Sequence, residues 1–265
     1  MFPTISAFGY NISWYWLVIA ITIVVSILFF KWYFAKNYTT FNNSPRISAK
    51  LFVLWVTSCF ILSKLFYTIE YFLIHTIDSN QLYSLISNYQ GMRAYGIVLG
   101  YTIIVVVFYR MLLKKNLMPY IDTLGITGCL AISIGKFACL LEGHGCYGIY
   151  TNLPWGMHFI YDSNPSLLPV HPTPLYDSIL HVLLFVSLLK INFEQRKEGS
   201  IFLFFVIGSS LCNIIVETVR NNERIFSCFS MAQIAYAICL SLSFILFKKI
   251  YYPKKNKSII KKSIP

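Results

Sequence analysis

The sequence predicts an all-α, polytopic membrane protein: seven transmembrane helices in a single domain over residues 1–265, N-terminus outside and C-terminus in the cytoplasm. Three observations carry this. The 265 residues are 57% hydrophobic and only 12% charged, where a soluble domain is about a quarter charged, and the mean hydropathy is +0.62. Apolar runs long enough to cross ~30 Å of hydrocarbon, which takes about 20 helical residues, recur along the chain. Lys and Arg are abundant in every second loop and sparse in the others.

The first run, 12–34, opens on Trp14, Tyr15 and Trp16, whose amphipathic rings suit a membrane interface. Met1 to Trp16 has neither a basic n-region nor an A-x-A site, so the run reads as a span and not as a cleaved leader. The second, 50–74, carries Lys64 and Glu70. The third and fourth are 95–113 and 121–141, the short fifth is 175–191, and the sixth and seventh are 200–219 and 229–250. Cys59, Cys129, Cys212 and Cys239 fall inside spans, where a small apolar core residue is the plain reading. Cys139 and Cys146 lie near the outer surface; an oxidising compartment permits a disulfide there, but spacing supplies no geometry.

The seven-span count puts 17 of the 22 Lys and Arg on one side: the first, third and fifth loops and the C-terminal tail. Three lie on the other side, namely Arg93, Arg220 and Arg224, while Lys64 and Lys136 are within spans. The positive-inside rule makes the first side cytoplasmic. The formal charge of +12 is therefore a topology signal, and its tail cluster attracts anionic lipid rather than nucleic acid.

Chemistry concentrates in residues 135–177, which hold Lys136, Glu142, His144, Cys146, His158, His171 and Asp177 between apolar runs. Ionisable groups near a bilayer are costly unless they are used. Gly143, Gly145 and Gly148 end the fourth span in a tight turn, suited to positive φ and close backbone approach. A neutralised Lys136–Glu142 pair inside the bundle and a lipid-headgroup site both fit this stretch. Around Trp155 the alternation suggests a short strand, with His158 facing outward. In His171-Pro172-Thr173-Pro174-Leu175-Tyr176-Asp177, Thr173 reads as a helix N-cap, Pro174 as the first helical residue and Asp177 as a dipole partner in the first turn. Asn213, Glu217 and Arg220 share a helix face, and Glu217 and Arg220 can pair at i, i+3. A structural ion pair and a phosphate-holding pair both suit that spacing. No Walker A, G-x-S-x-G, H-E-x-x-H or C-x-x-C occurs, and His144, His158 and His171 are too irregularly spaced to indicate a metal.

At these residues the sequence resembles the prolipoprotein diacylglyceryl transferase family. The resemblance is carried by Lys136, Glu142-Gly143, Cys146-Tyr147-Gly148, Thr151-Asn152-Leu153-Pro154-Trp155-Gly156, the His171–Asp177 block and Glu217-x-x-Arg220, and it covers most of the chain. It implies a bacterial inner-membrane enzyme without cofactor or metal. Its partners are phosphatidylglycerol or a related anionic lipid and the signal peptide of a preprolipoprotein. The family moves diacylglyceryl onto the lipobox cysteine thiol, forming a thioether and releasing glycerol 1-phosphate. Carried over by position, the resemblance implies catalytic roles for Tyr95, Lys136, His144, His171 and Glu217. Substrate contacts fall to Tyr15, Cys139, Glu142, Gly143, Tyr147, Gly148, Asn213 and Arg220, and Lys64 of the second span is the candidate to replace a cation that the family pattern has and this chain lacks. Lys136 and Asn213 stand where the family pattern has Arg, Cys139 where it has Asn, and Tyr95 where it has His. A paralogue using another acceptor or lipid, and a non-enzymatic lipid-binding protein, are the alternatives these departures leave open.

Overall fold

A computed structural model describes residues 4–7, 10–38, 45–74, 93–143, 147–159, 166, 168–191, 197–222, 224–225 and 229–252. Among these residues the chain forms seven helices: α1 (Trp14–Asn37), α2 (Pro45–Ile74), α3 (Ala94–Lys114), α4 (Met118–Glu142), α5 (Thr173–Leu189), α6 (Ser200–Glu217) and α7 (Met231–Tyr251). Two antiparallel hairpins accompany them: β1 (Thr4–Ala7) with β2 (Tyr10–Ser13), Thr4 opposite Ser13, and β3 (Arg224–Ile225) with β4 (Phe229–Ser230).

The helices carry large apolar side chains on the outside and bury polar groups within an otherwise apolar core. Leu28, Val107 and Ile215 are each more than 60% exposed, while Thr102, Thr123, Asp177, His181 and Ser209 are completely buried. Water would reverse that distribution; hydrocarbon favours it, because buried polar groups must find partners inside the bundle. Six helices are long and apolar enough to cross a membrane, and α5, with 17 residues, is shorter. The protein is thus a polytopic membrane protein. α5 packs against both α4 and α6.

The ends of the helices explain where hydropathy misjudged their bounds. Residues 12 and 13 fall inside the first apolar run but are extended, paired into β2. The helix begins where Ser13 Oγ accepts the Tyr15 N–H at 3.2 Å. Phe229 likewise belongs to β4; Ser230 and Gln233 form a reciprocal capping box that starts α7. The second helix starts at Pro45, earlier than hydropathy indicates. Thr173 is not the N-cap of α5: Pro172 occupies that position without a side-chain bond, and Thr173 is the buried first helical residue. Asp177 therefore lies beyond the first turn, where the helix dipole does not hold it.

Two contacts fix the frame around the site. On α3, a Cβ at Gly96 would stand 2.7 Å from Phe66 Cβ, and one at Gly100 2.7 Å from Leu62 Cδ1. This small-xxx-small face lets α2 approach closely. At the opposite end of the bundle, buried Asp122 of α4 accepts the Gly199 N–H at 2.8 Å and the Phe202 N–H at 2.9 Å. A carboxylate from one helix thereby caps another, satisfying two otherwise orphaned donors and meeting the positive end of its dipole.

Candidate active site

The site forms where the C-terminal ends of α4 and α6 meet the N-terminal ends of α5 and α7. α4 stops at Gly143, whose φ of 75° is left-handed and suits glycine. Past the turn, Gly148 pairs with Arg220 as an antiparallel bridge. Its N–H donates to His171 O at 2.8 Å, the Ile149 N–H to Val219 O at 2.9 Å, and the His171 N–H to Ile149 O at 3.0 Å. A Cβ on Gly148 would stand 2.3 Å from Val219 O and 2.7 Å from His171 Cβ, so only glycine permits this crossing. The strand suggested around Trp155 is a single bridge, Met157 exchanging 3.0 Å bonds with Val170. His158 is exposed, as the alternation indicates.

This crossing anchors Arg220 beside a buried ion cluster. Lys136 Nζ of α4 lies 2.8 Å from Asp177 Oδ2 of α5. Arg220 Nη2 bonds the same oxygen, and its Nη1 lies 3.4 Å from Glu217 Oε2. Glu217 Oε1 in turn accepts from Ser230 Oγ and Asn222 Nδ2, both at 2.6 Å. The side chain of Asp177 is fully buried, and those of Lys136 and Arg220 are only 12% and 13% exposed. Two cations share one buried carboxylate, which offsets part of the cost of burying them.

A cavity of about 370 Å³ opens beside the cluster. Its wall includes Tyr15, Tyr95, Lys136, Cys139 and Arg220, which the sequence had nominated, together with Glu70 and Arg93. Most of the remaining lining is apolar, from Ile19 and Ile23 through Val98, Leu124 and Phe205. Near Tyr95 a second ion pair sits on this wall: Arg93 Nε lies 2.5 Å from Glu70 Oε2, which also accepts the Tyr95 hydroxyl at 3.0 Å. An apolar chamber with basic groups on its wall can hold an anionic lipid, acyl chains in the chamber and phosphate at the cations.

Other nominated residues lie elsewhere. Lys64 is absent from the cavity wall; its ammonium stands 5.3 Å from the centre of the Tyr67 ring. Asn213, buried in α6, donates to Ser209 O at 2.8 Å and to Ser209 Oγ at 3.4 Å. Ser209 Oγ also meets His181 Nε2 at 3.0 Å, so Asn213 belongs to a polar clasp between α5 and α6. Tyr147 stacks on Phe159 with ring centres 5.4 Å apart. His171 Nδ1 lies 3.2 Å from the Tyr176 hydroxyl, which accepts the Trp155 indole N–H at 2.9 Å. His144, Cys146 and the Glu142 side chain fall outside the described residues. The Lys136 partner that the structure describes is Asp177; the Lys136–Glu142 pair, one of two readings the sequence left open, involves a side chain outside the described residues.

Sequence reasoning missed Asp177, Glu70 and Arg93 as site residues. Asp177 was assigned to a helix dipole that does not reach it. Glu70 stood out as a carboxylate inside an apolar run, but its partner lies 23 residues away in sequence. Among the described residues, no group of three His, Cys, Asp or Glu side chains gathers as metal ligands.

Fold and site together define a class: a polytopic membrane protein whose apolar chamber ends in a buried cluster of paired cations. Comparison with known proteins gives the family. Residues 3–250 match the family model for prolipoprotein diacylglyceryl transferase, and the chain belongs to that family. It is similar to the phosphatidylglycerol–prolipoprotein diacylglyceryl transferase of Campylobacter jejuni, 24% identical over 259 residues, covering 91% of this chain and 88% of that protein. The enzyme of the same name from Clostridioides difficile is 23% identical over 259 residues, 96% of each chain. That from Clostridium tetani is 32% identical over 151 residues, 56% of this chain and 58% of its own.

Proposed function

We propose that this protein is a phosphatidylglycerol–prolipoprotein diacylglyceryl transferase of the bacterial inner membrane, with seven spans, its N-terminus outside and its site facing the outer leaflet. The observation that carries the reading is the convergence of Lys136 and Arg220 on Asp177 at the wall of an apolar chamber. Family membership points to the same chemistry. The alternation of basic loops supports the orientation.

The reaction then runs as a displacement at carbon. The lipobox thiolate attacks the glyceryl carbon that carries the phosphate of phosphatidylglycerol. A C–S bond forms, the C–O bond to phosphate breaks, and glycerol 1-phosphate leaves. Lys136 and Arg220 hold the phosphate and stabilise the charge that grows on the departing oxygen. Glu217, fixed by Ser230 and Asn222, orients Arg220. Asp177 holds both cations in place before lipid arrives. The thiol proton passes to a general base, and the leaving phosphomonoester takes up one proton, so the balance closes. His171 suits the base when its Nδ1–H donates to Tyr176, the tautomer that leaves Nε2 unprotonated. His144 is the other histidine in this loop.

Complementation tests the reading in cells. A bacterium depleted of its own transferase is expected to regain growth and mature lipoproteins when it carries this chain, and to lose both with Lys136→Ala. Failure of the wild-type chain to complement, although it inserts into the membrane, would favour a relative that uses another acceptor or lipid.

A further inference from the structure

Arg93 is the most exposed of the three cations on the cavity wall. Its side chain is 41% exposed, against 12% for Lys136 and 13% for Arg220. The residue stands just before α3; two contacts hold its side chain, and a third fixes the carboxylate that it meets. Its Nε meets Glu70 Oε2 at 2.5 Å, the guanidinium carbon lies 5.4 Å from the centre of the Tyr67 ring, and the Tyr95 hydroxyl donates to the same Glu70 oxygen at 3.0 Å. The carboxylate end of this pair is only 11% exposed, so the cation points to the more open side.

The contact with Glu70 engages Nε, while the Nη groups carry the four N–H donors best placed for a phosphate. The inner cluster is already balanced, Lys136 and Arg220 facing Asp177 and Glu217. Arg93, Glu70 and Tyr95 line the same chamber as Lys136 and Arg220.

We propose that Arg93, positioned by Glu70 and Tyr95, is a substrate-binding residue that engages the phosphate of the lipid headgroup and selects anionic over zwitterionic lipids. A zwitterionic headgroup brings its own ammonium toward the guanidinium, and the repulsion offsets the phosphate contact. The proposal rests on the transferase reading for the identity of the lipid, not for the presence of the site.

The test compares purified wild type, Arg93→Gln, Arg93→Lys and Glu70→Gln, each with its melting temperature, for binding of phosphatidylglycerol and phosphatidylethanolamine and for transfer to a lipobox peptide. Arg93→Gln is expected to weaken phosphatidylglycerol binding about ten-fold and raise KM alike, with kcat within about two-fold, as befits loss of a charge-assisted contact made before the transition state. Arg93→Lys should recover part of the loss. Glu70→Gln should weaken phosphatidylglycerol binding less than Arg93→Gln and keep the preference for the anionic lipid, because the cation remains while the group that positions it loses its charge. Equal damage from Glu70→Gln and Arg93→Gln, with the preference between the two lipids unchanged, would reduce Arg93 to a structural ion pair and overturn the proposal. Arg93-dependent binding of phosphatidylglycerol without any transfer by the wild type would uphold Arg93 and remove the transferase reading instead.

Discussion

Lys136 Nζ lies 2.8 Å from Asp177 Oδ2, and Arg220 bonds the same oxygen, so one fully buried carboxylate joins α4, α5 and the end of α6. This makes Asp177 the hub of the site. Its replacement by Asn removes the charge but preserves the shape, leaving two poorly compensated cations. Breaking such a buried pair costs about 3–5 kcal/mol. Asp177→Asn is expected to lower the melting temperature and to abolish transfer, whereas Asp177→Glu should keep part of both. Thermal unfolding in detergent, read beside transfer activity, checks this; an Asn variant as stable and active as wild type would contradict it.

Gly148 tests the crossing that seats Arg220. A methyl group there would stand 2.3 Å from Val219 O and 2.7 Å from His171 Cβ, and both neighbours belong to the site's framework. Gly148→Ala is expected to cost about 1–3 kcal/mol, the usual range for overpacking, and to reduce transfer at least ten-fold. Gly135, where an added Cβ meets nothing within 4 Å, is the matched control for stability and should keep the wild-type melting temperature as Ala.

Asp122 separates stability from chemistry. Its two bonds to the N-terminus of α6 lie at the opposite end of the bundle from the cation cluster. Asp122→Ala is expected to cost about 1–2 kcal/mol, the scale of a lost N-cap, while kcat per folded molecule stays within about two-fold. A large fall in kcat in the stable fraction would show that this end also controls the reaction.

Much of this arrangement was legible in the sequence. Hydropathy and basic loops outlined the helices, because an apolar run of that length has few other uses. Lys136, Cys139, Tyr95 and Arg220 were nominated and share the cavity wall. What escaped was pairing across helices. Nothing along the chain links Glu70 to Arg93, or Asp177 to Lys136 41 residues before it, because only the bundle brings them together. Local rules also misled where a stronger tertiary contact won: the dipole rule explained Asp177 well enough that its partners were not sought. Asn213 stands where a charged family residue is expected, yet its amide is occupied by Ser209.

That position yields a further prediction. Asn213 lies one helical turn before Glu217, so an Arg there can reach the Glu217 carboxylate at i, i+4. Asn213→Arg is expected to insert normally and to transfer from phosphatidylglycerol as fast as wild type or faster. Initial rates on purified protein decide it; complete loss of activity in a stably folded variant would mean that the Ser209 clasp cannot be given up.

Topology can be read with reporter fusions. Seven spans and an external N-terminus require Asn116 and Tyr252 to report from the cytoplasm and Asn152 from outside. A cytoplasmic Asn152 would move the loop that crosses Arg220 to the wrong face of the membrane for a lipobox cysteine.

The most direct measurement is the reaction itself: purified protein, phosphatidylglycerol labelled in its acyl chains, and a peptide carrying a lipobox cysteine. The account predicts a labelled thioether on the cysteine, equimolar glycerol 1-phosphate, and loss of both with Lys136→Ala or Arg220→Ala. An unlabelled peptide from stable wild-type protein, alongside a related enzyme that labels it, would contradict the account.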